Sequence, residues 1–495
     1  MFVRLAKNLF KTSDFIQCQK LIVAVSGGSD SLALLFLVKD HLTTLSLPPE
    51  MIVVSVDHQL RKESAREVED VARICRAHHI RHVTLRWDGK KPKTHIAEKA
   101  RVARYNLLFQ EAQKQGATLI MTGHTLNDQV ETYQMRSQRI SKNVDALQQA
   151  IFEDIQGEDC AAKMTANIAE MTGKNCVLVR ERGLSCIPRE ALLRRKVRLI
   201  RPLLGVKRKT LRAYLRLQGK TWIDDPTNED LNFERARVRQ SLPQKKIANI
   251  AKKVNEAALK RRRQAQNIAD LILALDIAVE HGRCFIEKPV PFLHQHPNFP
   301  FVVGLFAVLM GGSSYLLPYK KLTTLEQKLC LSSPKKQRFT LAGSVIECSI
   351  SGIAFWRESR NIKEAIVAPK KTILWDGRYQ IANHTSSSIT VKPADLEHLK
   401  SLCQMESQME FLYQNSICGR KHPHFPSLQS LPMILKDKEI NIPELTYQGA
   451  FEQKALFQQN VLIKRILAPF DWLLSCEDAA LVHTIEPFFN VEIRI

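Results

Sequence analysis

The residues best suited to chemistry stand in one run, Ser26-Gly27-Gly28-Ser29-Asp30-Ser31. Its glycines let backbone N–H groups approach phosphate oxygens, and its serines add hydroxyl donors. A helix starting at the end of the run adds the favourable potential of its N-terminus. Asp30 is out of place beside an anion unless a cation lies between them, so the functional reading puts Mg2+ between Asp30 and the phosphates. The structural reading is a helix cap made by Ser29 or Asp30. No Lys follows the glycines and the spacing is not G-x-G-x-x-G, which excludes a Walker A loop and a dinucleotide fingerprint.

A second constellation is Gly123-His124-Thr125-Leu126-Asn127-Asp128-Gln129-Val130-Glu131-Thr132. His124 precedes Asp128 by one helical turn, offering a donor to a phosphate or to developing charge beside a second carboxylate for a metal. Thr125 with Asp128 also fits a capping box. Asp57-His58 ends an apolar run, where it either touches a nucleoside or makes a turn. Arg101 and Arg104, one helical turn apart, face phosphate, RNA or only water.

These residues need elements to hold them. Residues 21–25 form a short β-branched run before the glycines, and 32–38 continue at helical length. Further strands are expected at 51–56, 82–87 and 119–122, with helices at 63–79, 96–115 and from near Asn127. Strands alternating with helices mean an α/β fold with a doubly wound parallel sheet, whose ligands bind beyond the carboxyl ends of the strands. The three candidate segments all lie at such ends. Residues 247–275 read as a long amphipathic helix carrying Lys260, Arg261, Arg262 and Arg263. After about residue 336 short strands separated by Gly-containing turns take over.

The net charge of +23 points to a polyanionic partner, nucleic acid first. The basic runs around Arg194–Arg198 and Lys207–Arg212, and the one at 260–263, suit RNA phosphates; their bland reading is a solvated face. Eleven cysteines, odd in number and without C-x-x-C, argue against a disulfide framework, a zinc ribbon or an iron–sulfur run. Cys18, Cys75 and Cys186 are expected to be packing residues, with Cys186 the most reactive of them. The most apolar stretch, 301–310, is too short to cross a bilayer, and the N-terminus lacks a signal-peptide core. A cytoplasmic, non-membrane protein is expected.

The 26–31 run resembles the PP-loop of the N-type ATP pyrophosphatases, which cleave ATP between the α- and β-phosphates and adenylate a substrate oxygen. With Val56-Asp57-His58-Gln59-Leu60-Arg61, the Arg101–Arg104 helix, the 123–132 segment, Arg201-Pro202-Leu203-Leu204, Trp222-Ile223-Asp224-Asp225-Pro226-Thr227-Asn228 and Phe233-Glu234-Arg235, the chain resembles the bacterial tRNA(Ile)-lysidine synthetase family. The likeness is specific over about residues 20–240 and weaker at 339–358 and 374–378. It implies a ligase that joins free L-lysine to the wobble cytidine of tRNA(Ile) with a CAU anticodon, through an adenylated cytidine, with ATP and Mg2+ as cofactors. Asp30, His124 and Asp128 would be catalytic, with Asp30 and Asp128 on the metal. Ser26, Gly27, Gly28, Ser29, Asp30, Ser31, Asp57 and His58 would hold ATP. Arg101, Arg104, Arg235, Arg237, Lys260, Arg261, Arg262 and Arg263 would meet tRNA.

The chain departs from the family in having Asn127 where an acidic residue is usual. An Arg- and Gly-rich stretch is also interrupted and resumes at Gly183-Leu184-Ser185-Cys186-Ile187. The expected organisation is a PP-loop adenylating domain over 1–243 with a polar insertion at about 137–176, a helical basic region over 244–335, and a mixed β-rich region, α+β in class, over 336–495. Oligomeric state is left open, a homodimer included. Competing readings are a PP-loop tRNA thiolase, which would need reactive cysteines, and a non-catalytic RNA-binding protein.

Overall fold

A computed structural model describes residues 9–61, 63–154, 182–224, 230–287, 296–330, 336–404, 424–437, 439–446, 454–456 and 460–489. Segment 225–229, with Asp225 to Asn228 of the motif above, lies outside them, as does 155–181. In chain order the first elements are β1 (Lys20–Ala24), α1 (Ser29–Leu42), β2 (Glu50–Asp57), α2 (Ser64–Ala77), β3 (Arg81–Arg86), α3 (Ile96–Gln115), β4 (Leu119–Thr122) and α4 (Leu126–Asp154). Then come β5 (Glu190–Leu193), β6 (Val197–Ile200), α5 (Arg208–Leu217), α6 (Glu234–Ser241) and α7 (Ile247–Ala274). The expected α/β order holds. Gly116, in the left-handed region, stops α3 where the sequence predicts.

The sheet order is β5-β6-β4-β1-β2-β3, and β6, β4, β1, β2 and β3 run parallel. Both faces are covered, one around α1 and α5 and the other around α3, so the parallel strands read as apolar runs. Neighbouring β1 and β4 send their connections in different directions around the sheet. The crevice between them is the topological switch point where ligands bind.

Two expectations need adjusting. The segment read as a surface insertion begins inside α4, which runs on to Asp154, because no Gly or Pro interrupts residues 126–154. Phe233-Glu234-Arg235, read from the sequence only as a motif, opens a helix, α6, Glu234–Ser241.

Beyond α7 come β7 (Ile277–Glu280), β8 (Arg283–Ile286), α8 (Phe299–Gly311), α9 (Tyr319–Cys330), β9 (Gln337–Leu341), β10 (Ser344–Ser349) and β11 (Gly352–Arg357). They form a five-stranded antiparallel sheet, β7-β8-β11-β10-β9, around the apolar helix α8. Two four-stranded sheets follow. One pairs β12 (Ala365–Val367), β15 (Ile389–Pro393), β16 (Pro432–Lys436) and β17 (Glu439–Asn441). The other pairs β13 (Thr372–Trp375), β14 (Tyr379–Asn383), β19 (Val461–Arg465) and β18 (Lys454–Leu456). They share a core of Val367, Tyr379, Val391, Ile434 and Ile463. No helix among the described residues is long and apolar enough to cross a membrane.

The last strand, β20 (Leu473–Ser475), returns to the first sheet and pairs antiparallel with β5, Leu473 opposite Leu193 and Ser475 opposite Ala191. The seven-stranded sheet is therefore completed by the end of the chain. Helix α10 (Ala479–Ile485) then packs on α7 within the apolar cluster around α8. The region drawn at 336–495 is thus joined to the first sheet by backbone pairing.

Candidate active site

The 26–31 loop lies between β1 and α1. Gly27 sits at φ +84°, where a side chain would be strained, and its carbonyl accepts from Ile223 N–H at 3.0 Å. The segment after α5 thereby closes over the loop. Ser31 holds the turn from within: its hydroxyl donates to Gly28 O at 3.0 Å and accepts from Ser26 N–H at 3.1 Å. Gly123 is needed at the end of β4, because a Cβ there would come within 2.9 Å of Asp30 O and Ser31 Cα. The two segments therefore pack backbone to backbone.

Asp30 and Asp128 converge on one guanidinium. Arg208, in the first turn of α5, donates through Nε to Asp30 Oδ2 at 2.7 Å and through Nη2 to Asp128 Oδ1 at 3.4 Å. Arg235 on α6 donates to Asp128 Oδ1 at 2.8 Å. The other Asp128 oxygen accepts from Thr125 N–H (2.7 Å) and the Thr125 hydroxyl (2.8 Å), so the capping geometry is real and leaves one oxygen facing the crevice. Burial pushes the Asp30 carboxyl above its ordinary range against the pull of Arg208. Burial acts on Asp128 too, but Arg235 and Arg208 outweigh it and hold that carboxyl below its ordinary range. Two carboxylates beside a phosphate loop are the donor chemistry Mg2+ takes along with substrate phosphates, and the position between them is one where a cation already sits.

Glu131, one turn beyond Asp128 and 1% exposed, is the residue the sequence reading missed. It accepts from Arg235 Nε at 2.7 Å and Arg239 Nε at 2.8 Å, with Arg208 at 3.7 Å. Its spacing from Asp128 was the available signal, since residues three apart share a helix face. Asn127, the departure from the family pattern, accepts through Oδ1 from Arg208 N–H at 3.0 Å. It ties the start of α5 to α4 and adds no charge.

The opposite wall is cationic. Arg201 is fully buried; its Nη1 donates to Pro188 O at 2.7 Å, while Nε and Nη2 lack a hydrogen-bond partner. The buried Tyr105 hydroxyl also lacks one. Arg101 and Arg104 lie 5.1 and 5.5 Å from the Tyr105 ring. Burial would raise the Tyr105 pKa, but Arg201, Arg101 and Arg104 outweigh it and draw it down to about 8. Burial, then Arg201, keeps His124 neutral, its pKa well below the ordinary value, with Nδ1 3.0 Å from the Thr122 hydroxyl. Buried polar groups without a partner call for one, and an anionic or oxygen-bearing ligand would supply it.

Asp57 serves the turn after β2, accepting from Gln59 N–H at 2.8 Å and the Ser64 hydroxyl at 2.6 Å. His58 packs edge-on to Trp87, and burial lowers its pKa to about 4; its Nδ1 is buried without a partner. Arg237 lies away from the carboxylates and donates to the Leu231 and Asn232 carbonyls. Along α7, Lys260, Arg262 and Arg263 are exposed. Arg261 turns inward to Asp478, in register with the buried stripe of Val254, Ala257, Ala265 and Ile268. Cys75 and Cys186 are both buried, and burial lifts their thiols to about 11, so Cys186 is no exception among the packing cysteines.

The PP-loop domain family matches residues 2–171 and 174–246. The tRNA(Ile)-lysidine synthase of Bartonella quintana (strain Toulouse) is 67% identical, covering 100% of both chains. That of Bartonella henselae is 65% identical, also over 100% of both. The enzyme of the same name from Brucella suis biovar 1 is 32% identical over 97% of this chain and 96% of its own.

Proposed function

This chain belongs to the tRNA(Ile)-lysidine synthase family of PP-loop proteins, and from that premise we propose that it joins free L-lysine to the wobble cytidine of tRNA(Ile) with a CAU anticodon, at the expense of ATP. The observation that carries the reading is the meeting of the 26–31 loop, Asp30, His124 and Asp128 at the switch point of a parallel sheet. The cytidine carbonyl oxygen attacks the α-phosphorus and pyrophosphate leaves. The lysine ε-amine then attacks the ring carbon, and AMP departs with the oxygen.

The loop N–H groups and hydroxyls hold the departing pyrophosphate. Asp30 and Asp128 would hold Mg2+, which when bound neutralises the phosphate charge. Arg208, released from Asp30, turns to the phosphates. Arg201 and Tyr105 offer their unmatched donors to the cytidine carbonyl or the adenylate. Neutral His124 offers its ring N–H to a phosphate oxygen or to the developing charge. Lys260, Arg262 and Arg263 meet tRNA phosphates, and Arg101 and Arg104 the anticodon backbone. Such an enzyme works in the cytoplasm, where tRNA, ATP and free lysine are found together. Sulfur transfer would need a reactive thiol, and Cys75 and Cys186 are buried and protonated.

The test is mass spectrometry of tRNA after incubation with ATP, Mg2+ and isotope-labelled lysine. A labelled nucleoside at the wobble position, with one AMP released per modification, is expected. Modification without lysine, or none with it, overturns the reading.

A further inference from the structure

One buried carboxylate connects the end of the chain to the catalytic helix. Asp478, just before α10, is 3% exposed. Arg182 and Arg261 both pair with it, Arg261 Nε at 3.1 Å from Oδ1 and Nη2 on Oδ2. Arg182 opens the 3-10 turn Arg182–Ser185, and Arg261 Nη1 also donates to the Ser185 hydroxyl at 2.9 Å. Asp478 therefore holds this short segment in two ways, directly through Arg182 within it and through Arg261 of α7, which bonds Ser185.

The far end of that segment is locked to α4. Gln129, next to Asp128, donates through Nε2 to Ile187 O at 2.7 Å and accepts Ile187 N–H through Oε1 at 2.9 Å. Arg136 on the same helix donates to Gly183 O at 2.5 Å. Cys186 packs with Val130 of α4 and with Ile250 and Val254 of α7. Burial alone would raise the Asp478 carboxyl, but Arg182 and Arg261 outweigh it and keep it ionised.

We propose that Asp478 is a positioning residue for the adenylation site: through Arg182 and Arg261 it holds segment 182–187 against Gln129, and so fixes the first turn of α4, which carries Asp128 and follows closely on His124. The inference rests on the reaction proposed above. It gives Arg261 a role other than tRNA contact, and it makes the catalytic geometry depend on the end of the chain being docked.

The experiment uses the full chain with Asp478→Asn, Arg261→Met, Gln129→Leu and the Arg261→Met/Gln129→Leu double variant. AMP release is measured at saturating ATP, lysine and tRNA, well below each melting temperature, and scaled to folded protein. A displaced catalytic turn should lower kcat about 10- to 100-fold while KM for ATP stays within about twofold. Because the residues act through one segment, the double variant should be no more than about threefold worse than the worse single. Should Asp478→Asn fail to fold, Arg261→Met on the partly exposed face of α7 carries the same test. Two results overturn the proposal: kcat within about twofold in Arg261→Met, or losses that multiply in the double variant. Unchanged kcat with weaker tRNA binding and a salt slope reduced by roughly 0.7–0.9 would return Arg261 to a phosphate contact. A wild-type protein releasing no AMP with tRNA and lysine would instead defeat the assigned reaction.

Discussion

Replacing Asp30 by Asn separates what this residue does for folding from what it does for chemistry. Its side chain is 16% exposed, with Arg208 Nε at 2.7 Å. Burial nonetheless lifts its pKa above the ordinary value, so the folded state binds the proton more tightly than the unfolded one. The sign follows from linkage: the ionised form carries a folding cost, absent below the unfolded pKa and complete above the folded one. Asn keeps the shape and removes that cost. Arg208 retains Asp128 at 3.4 Å and Glu131 at 3.7 Å. The lost charge-assisted hydrogen bond is worth about 1.5–3 kcal/mol, and the relieved desolvation is of similar size and opposite sign. The net change should be within about 1 kcal/mol, which for so long a chain shifts Tm by less than about 3 °C.

Activity should respond very differently. Losing one preorganised electrostatic partner of the reacting phosphates costs about 2.7–4 kcal/mol, a factor of roughly 10²–10³ in kcat. Chromatographic measurement of AMP release, with tRNA affinity by filter binding and Tm by calorimetry on the same preparation, reads all three quantities. AMP release within about tenfold of wild type at unchanged Tm would refute the role given to Asp30.

The remaining expectations concern the RNA face, the cationic wall and the thiols. Changing Lys260, Arg262 and Arg263 together to Ala should weaken tRNA binding and reduce the salt slope by roughly 0.7–0.9 per lost phosphate contact; constant affinity and slope would mean a solvated face. Tyr105→Phe should remove an ultraviolet titration near pH 8. Since the folded pKa lies below the ordinary value near 10, the stabilisation is complete above about pH 10 and lost as pH falls through about 8. The denaturant midpoint of wild type should therefore rise relative to Tyr105→Phe between those values, and parallel curves would count against the cationic wall. Mild alkylation should leave tRNA modification intact, because Cys75 and Cys186 are buried with thiols near 11. Activity lost to alkylation without unfolding would revive thiol-dependent chemistry.

Much of the catalytic half was legible before any coordinates, because the signals there are local. Alternating apolar runs and helical spacing set β1 to β4 and α1 to α4, and Gly116 marks the end of α3. The 26–31 loop and the His124–Asp128 turn announce themselves because phosphate binding needs glycines and donors contiguous at a helix start. Arg261, grouped with Lys260, Arg262 and Arg263 as a tRNA contact, instead turns inward to Asp478, a placement that its register with Val254, Ala257 and Ala265 could have signalled. The rest depends on residues far apart in the chain. Arg208 reaches Asp30 across 178 positions, and Asp478 reaches Arg182 across 296. Strand β20 has only three residues and no periodicity of its own, and it is a strand because β5 offers it an open edge. Local pattern decides which elements form, since a few adjacent residues set backbone preference and the face to be buried. Which cation neutralises which buried carboxylate is decided only when those elements pack, because a charge removed from water must take whatever partner the fold brings within reach.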